Sequence, residues 1–110
     1  MTLNLNYVSF IVSDMERALN FYRTLGLPIP EGAHLNAAGE AQNHVEVTVN
    51  GLRVAWETEA LMRQLAAEWT PPIRAGRVGV AFEARTPADV DAAARRLRDG
   101  GYTVAAEPFD

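Results

Sequence analysis

The chain has 110 residues, a hydrophobic fraction of 48%, a charged fraction of 22% and a formal net charge of −4 at pH 7. This length predicts one domain, and the acidic balance argues against nucleic acid as a partner. The chain has no cysteine and no lysine, which excludes disulfides, thiolate chemistry and lysine nucleophiles. We find no signal segment and no apolar run long enough to span a membrane, so a cytoplasmic protein is expected.

A strand and then a helix are predicted at the start of the chain. Residues 6–12 alternate between polar and apolar side chains, as a half-buried strand does. Ser13 and Glu16 have the spacing of a capping box, and apolar residues recur at helical spacing from Met15 to Leu25. Gly26 is expected to adopt the left-handed conformation that ends a helix.

A β-hairpin and a short helix are predicted next. Residues 44–49 and 52–57 alternate again, and Asn50-Gly51 between them is a strong hairpin turn. Residues 59–69 carry apolar side chains at helical spacing, and Thr70-Pro71-Pro72 then breaks the helix.

The strand–helix pattern then repeats, with a strand at residues 77–83, a helix from the N-cap Thr86 to Gly100, and an extended segment at 102–106. The repeat predicts an α+β fold of two βαβββ-type units that form a concave mixed sheet with helices on its outer face. We expect one domain, with unit one at residues 1–69, a linker at 70–75 and unit two at 76–110. In this prediction the second unit, as far as Asp110, is without the final hairpin that the first unit has.

Strand parity separates two faces of the predicted sheet. One face is bulky and apolar and is expected to pack under the helices; it carries Val8, Phe10, Val12, Val45, Val47, Val49, Val54, Trp56, Val78, Val80 and Phe82. The opposite face carries small or polar residues, namely Tyr7, Ser9, Ile11, His44, Glu46, Thr48, Arg53, Ala55, Glu57, Arg77, Gly79, Ala81 and Glu83. Such a face predicts a ligand groove, although a solvated sheet face has the same composition.

The start of the chain resembles a known family. Residues 7–22, followed by Leu25-Gly26-Leu27, are similar to the opening strand and the Asp-x-x-x-x-x-x-Phe-Tyr helix of the vicinal oxygen chelate superfamily. That superfamily includes glyoxalases, extradiol dioxygenases and bleomycin resistance proteins, and residues 77–101 match its second opening. The resemblance implies the two-unit fold and a homodimer, in some members with exchanged units.

The resemblance also implies where metal-using members hold their ion. Those positions fall at Tyr7, at Arg77 and at Ala55, with Glu57 two residues further along the same face, and the fourth lies beyond Asp110. A guanidinium cannot coordinate a cation, and a methyl group offers no donor atom. We therefore predict no metal and no other cofactor, and a metal-free member similar to bleomycin resistance proteins.

The candidate ligand-binding residues lie on the groove face or in the linker: Tyr7, Ser9, Glu46, Thr48, Ala55, Glu57, Trp69, Arg77 and Gly79. Tyr7 would stack on a planar ligand or fill the core, and Trp69 would form an aromatic wall or pack the linker. Arg77 would bind an anionic group or pair with a glutamate of the groove.

The weak catalytic candidates are His44, Glu46 and Tyr7. Histidine titrates near neutrality, and a carboxylate two residues along a strand shares its face. The interpretation we favour is that His44 and Glu46 are ordinary exposed polar residues at the start of a strand.

Three hypotheses follow. The first is a protein that sequesters a small planar or cationic molecule, with antibiotics as one class of ligand. The alternative is a glyoxalase- or dioxygenase-like enzyme that uses acid and base groups of the groove, and the third is a regulatory subunit. The expected partners are a small-molecule ligand and a second copy of the chain, with no nucleic acid and no membrane.

Overall fold

The computed structural model describes residues 4–71, 80–104 and 106–108. It has a mixed α+β architecture, as the sequence predicts. The elements in chain order are β1 (Val8–Val12), α1 (Met15–Thr24), β2 (His44–Val49), β3 (Leu52–Thr58), α2 (Glu59–Leu65) and α3 (Pro87–Asp99).

The three strands form one mixed sheet in the order β1-β3-β2. β1 runs parallel to β3, with Ser9 opposite Ala55, and β2 runs antiparallel to β3, with Glu46 opposite Ala55 on the other side. Asn50 and Gly51 join the hairpin with φ angles of 51° and 81°, the left-handed values that a tight two-residue turn requires. β3 is therefore the central strand, and side chains of β1 and β2 flank it.

Helix α1 begins one residue later than the capping box predicts. Asp14, not Ser13, is the N-cap, and its Oδ1 accepts a hydrogen bond of 3.0 Å from the backbone N–H of Arg17. Aspartate and serine are equally favoured as N-cap residues, so the sequence pattern allows either Ser13 or Asp14 in this position. The backbone conformation of the folded chain selects Asp14. Gly26 follows the helix with φ 100°, as predicted.

Most of the apolar face of the first unit packs under α1 as predicted, but Val8, which was also assigned to the core, is 39% exposed. Trp56 and Leu19 are the largest fully buried side chains. The Trp56 ring lies 5.2 Å from that of Tyr22 and 6.1 Å from that of Phe10, measured between centroids. Val45 and Val54 join this core on either side of Trp56. These contacts fix which face of the sheet is left for a ligand.

The predicted short helix after β3 is shorter than expected. α2 ends at Leu65, and Trp69 lies in the segment that follows. The cap residue Ala66 has an extended conformation, with φ −145°, which stops the helix before Trp69.

The second unit departs from the prediction. Residues 80–83 form no strand, and Val80 and Phe82 are 52% and 51% exposed although the sequence places them in the core. Among the described residues they pair with no strand, so they gain none of the burial that a central strand would give them. The rest of that predicted strand, including Val78, lies outside the described residues.

The last helix is confirmed, but the segment after it is not extended sheet. The Thr86 hydroxyl accepts from the N–H of Asp89 at 3.1 Å, and α3 ends at Gly100. Tyr102 then packs edge-on against Phe21 of α1, with ring centroids 5.0 Å apart. This contact directs the chain toward α1, and residues 102–104 form no strand. No helix in the described part of the chain is long and apolar enough to cross a bilayer.

Candidate ligand-binding site

Two side chains of the hairpin hold the ring of Tyr7. Tyr7 precedes β1, and His44 begins β2. Their rings meet edge to face at 79°, with centroids 5.6 Å apart. The guanidinium carbon of Arg53, on β3, lies 5.6 Å from the centre of the Tyr7 ring. Tyr7 therefore sits in a defined position on the groove face, in contact with side chains of both hairpin strands.

His44 lies between two carboxylates. Its Nε2 is 3.0 Å from Oε1 of Glu46, and its Nδ1 is 3.3 Å from Oε2 of Glu57. Glu46 is two residues along the same strand, and Glu57 is directly opposite His44 in the β2–β3 pair. The strand register thus brings together one predicted candidate pair and adds a second carboxylate to it.

The two contacts favour the protonated form of His44. The hydrogen bond that His44 donates to Glu46 is the strongest influence, and it raises the pKa of His44 above its ordinary value of 6.5. Partial burial opposes this shift, and Glu57 reinforces it through its hydrogen bond and its charge. In turn, hydrogen bonds from His44 and Arg53 lower the pKa of Glu46 below its usual range.

Arg53 completes the polar surface. Its Nε and Nη2 lie 2.8 Å and 2.7 Å from Oε2 of Glu46, and its Nη1 donates to Oδ1 of Asn6. Glu57, His44, Glu46 and Arg53 therefore form a continuous row of alternating charges, which we name the charge row. The sequence analysis placed Arg53 on this face but did not select it as a site residue. Arg53 lies beside the hairpin turn, diagonally across the strand pair from Glu46. That position in the sequence could have predicted this ion pair.

The candidate residues differ in exposure. Ala55 is fully buried and Glu57 is 6% exposed, because both lie on the central strand β3. Ser9 is half-buried, and Glu46 and Thr48 are exposed on the outer part of the same face. The surface that a ligand can reach is thus formed by Tyr7, Ser9 and the exposed residues of β2.

Three candidates lie outside this group. The ring of Trp69 is 5.9 Å from the guanidinium carbon of Arg63, and among the described aromatic contacts none joins Trp69 to Tyr7. Arg77 and Gly79 lie outside the described residues. Their role at the groove therefore remains a prediction.

The residues of the site do not fit a divalent metal. Within residues 4–71, 80–104 and 106–108, no three histidine or acidic side chains converge on one point. Glu46 and Glu57 engage opposite nitrogens of His44, so their oxygens do not point to a shared position. Ala55 presents only a methyl group where metal-using relatives are expected to place a ligand.

The opposite side of the sheet has an open cleft of about 1000 Å³. Its lining is mostly apolar and includes Val8, Phe10, Leu52 and Phe82, with Arg85 and Glu83 at one end. The sequence assigns most of these apolar residues to the core. They line a cleft because residues 80–83 do not continue the sheet.

Known proteins support the fold. A family model described as "Glyoxalase/Bleomycin resistance protein/Dioxygenase superfamily" matches residues 4–110. A hypothetical protein from S. aureus is similar over 100% of this chain and 79% of its own, with 17% identity and a TM-score of 0.77. A glyoxalase/bleomycin resistance protein/dioxygenase from Nocardioides is similar over 100% of this chain and 70% of its own, with 22% identity and a TM-score of 0.56. No curated protein matches the chain. The chain belongs to the glyoxalase/bleomycin resistance protein/dioxygenase superfamily.

Proposed function

We propose that this protein binds a small molecule on the sheet face beside Tyr7 and sequesters it without turnover or metal. The observation that carries the proposal is the engagement of both ring nitrogens of His44 by carboxylates, at 3.0 and 3.3 Å. A ring bound in this way holds two protons and offers no lone pair to a substrate.

The two carboxylates of the site are themselves engaged in hydrogen bonds. Glu46 accepts hydrogen bonds from His44 and Arg53, which lower its pKa and weaken it as a base. Glu57 is buried against His44. General base catalysis requires a basic acceptor within reach of the substrate proton, and the lowered pKa makes Glu46 a poor one. The row instead offers a rigid polar border to the ring of Tyr7.

The accessible part of this face lies beside Tyr7. Ser9 is half-buried there, whereas its neighbour Ala55 on β3 is fully buried, so the surface open to a ligand is limited to Tyr7, Ser9 and the exposed residues of β2. A flat molecule placed there would contact the Tyr7 ring and the edge of the charge row. Antibiotics with planar groups are one class of molecule with this shape.

An acid-catalysed reaction is the second candidate. A protonated His44 is able to donate a proton, which the geometry of the row favours over proton abstraction. In that case the bound molecule would be recovered chemically altered, whereas a sequestering protein returns it unchanged.

A thermal-shift screen with planar and cationic antibiotics tests the proposal. A ligand at 100 times its dissociation constant stabilises the folded protein by about 2.7 kcal/mol, which a melting curve resolves. Each hit is then incubated with the protein, extracted and analysed by mass spectrometry. Unchanged mass and a 1:1 stoichiometry support sequestration, and a catalytic excess of altered product supports the enzyme.

A pair of variants tests the location. Ser9→Trp places a large ring on the proposed face and should abolish binding of every hit. Leu65→Trp adds the same ring on α2, where Leu65 is 73% exposed, and should leave binding unchanged. Normal binding by Ser9→Trp would show that the ligand is held elsewhere.

A further inference from the structure

When His44 is protonated, the charge row holds two positive and two negative groups. Its two carboxylates, on Glu46 and Glu57, face one guanidinium, on Arg53, and the imidazole of His44. The net charge of the row is therefore decided by His44: the row is neutral when His44 carries two protons and has one negative charge when it carries one.

The contacts of His44 indicate which state is present. An ionised carboxylate only accepts hydrogen bonds, so each contact at 3.0 and 3.3 Å needs an N–H on the ring. A neutral ring would donate to one glutamate and direct its lone pair at the other. Both contacts are satisfied together only by the imidazolium, and the raised pKa of His44 agrees with this.

The groups that face His44 come from each element around it. Glu46 lies on the same strand, Glu57 lies across the ladder on β3, and the Tyr7 ring precedes β1. Arg53 reaches the row through Glu46. Among the described residues, the two carboxylates, the imidazolium and the guanidinium of this set sum to zero charge.

We propose that the ligand of this face is a flat, uncharged molecule, because the imidazolium of His44 and the guanidinium of Arg53 together neutralise the two carboxylates that would otherwise attract a cation. This inference rests on the proposed binding function and narrows its ligand class. It selects the planar alternative over the cationic one: Tyr7 supplies an aromatic contact, and the row beside it supplies polar groups without net charge. His44 acts here as a positioning residue that sets the selectivity of the face.

Two matched probes test the ligand class, naphthalene with a hydroxymethyl group and naphthalene with an aminomethyl group. They share shape and differ in charge at about pH 7. Binding is followed by the chemical shifts of the Tyr7 ring protons and the Ser9 amide. The wild-type protein should prefer the uncharged probe. His44→Gln leaves one uncompensated carboxylate, which at roughly 5 Å in water should improve relative binding of the amine about fourfold.

His34→Gln is the matched control. His34 is the second of the chain's two histidines, and it lies near Glu16 on another part of the surface. Its loss should leave the ratio between the probes unchanged. A wild-type preference for the amine, or an equal ratio in wild type and His44→Gln, overturns the inference.

Nitrogen-15 shifts of the His44 ring test the charge assignment without any ligand. Two protonated nitrogens at about pH 7 are expected, and one unprotonated nitrogen overturns the inference even if the antibiotic screen succeeds. If neither probe binds but the antibiotic screen gives hits that Ser9→Trp blocks, the ligand class fails and the proposed function stands. If neither the probes nor the antibiotics bind, both fail, while an imidazolium signal would still establish the neutral row. The two measurements therefore separate failure of the charge argument from failure of the binding face.

Discussion

Glu57 lies directly opposite His44 in the β2–β3 pair, and its Oε2 is 3.3 Å from His44 Nδ1. The glutamate is almost fully buried while the histidine is half-buried, so the pair links the covered centre of the sheet to its accessible face. Both stability and ligand preference should therefore depend on the protonation of one imidazole.

The first prediction is a pH-dependent stability. The folded state raises the pKa of His44 above 6.5, so its contribution is complete below about pH 6.5 and is lost as the pH rises through the folded pKa. The free energy of unfolding of wild type, minus that of His44→Gln, should therefore fall as the pH rises from about 6.5 through the folded pKa of His44. Urea titrations followed by circular dichroism measure this difference.

At acid pH, the dependence of the unfolding free energy on pH has the opposite sign. The pKa of Glu46 is lowered from 4.5, so its contribution is present above that value and is lost as the pH falls through the folded pKa. Glu46→Gln should flatten this acid limb of the pH–stability curve. His34→Gln is the reference variant, and its acid limb should match that of wild type. A pH-independent difference between wild type and His44→Gln would contradict the charge row.

The second prediction concerns the cap of α1. Asp14→Ala removes the acceptor for the Arg17 N–H and should cost about 1 kcal/mol of unfolding free energy. Ser13→Ala should cost almost nothing, since Ser13 is not the cap. Equilibrium urea unfolding of the two variants distinguishes the observed cap from the one that the capping-box spacing suggests. A larger loss for Ser13→Ala would contradict the structure.

The third prediction concerns the core. Trp56→Ala should cost about 3–5 kcal/mol, because it empties the space beside the stacked rings of Phe10 and Tyr22. Trp56→Phe keeps an aromatic ring and removes the buried Nε1, which has no hydrogen-bond partner, so the loss should be about half as large. Trp69→Ala, at the second tryptophan, should cost less than either. Urea unfolding followed by far-ultraviolet circular dichroism ranks the three variants.

The fourth prediction is self-association. In the described part of the chain, no strand pairs with the outer edge of β1, and Val8, Val80 and Phe82 expose apolar surface nearby. We propose that a second copy covers this surface in a homodimer. Phe82→Glu should weaken the dimer by about tenfold or more, given the apolar area that a phenylalanine buries.

Sedimentation equilibrium provides the measurement. Leu65→Glu is the control, since it introduces the same charge at an exposed apolar residue of α2. A wild-type monomer at tens of micromolar, or equal dimer constants for the two variants, would contradict the proposal.

Local sequence determined most of the first unit. Alternation placed β1, β2 and β3, Asn50-Gly51 placed the hairpin turn, and Gly26 placed the end of α1, because each depends on backbone preferences within a few residues. The division of the first unit into a core face and a polar face also followed, since side chains alternate along a strand. The family resemblance was carried by the same segment.

Tertiary structure decided what local pattern left open. Residues 80–83 alternate like a strand but form none, because a strand needs a neighbouring strand and these residues pair with none in the described part of the chain. His44 and Glu46 were predicted as an acid–base pair, and Tyr7 as a further candidate. Only the register that places Glu57 opposite His44, with Arg53 beside Glu46, joins them into one charge row, because partners across a sheet are set by strand pairing and not by distance along the chain.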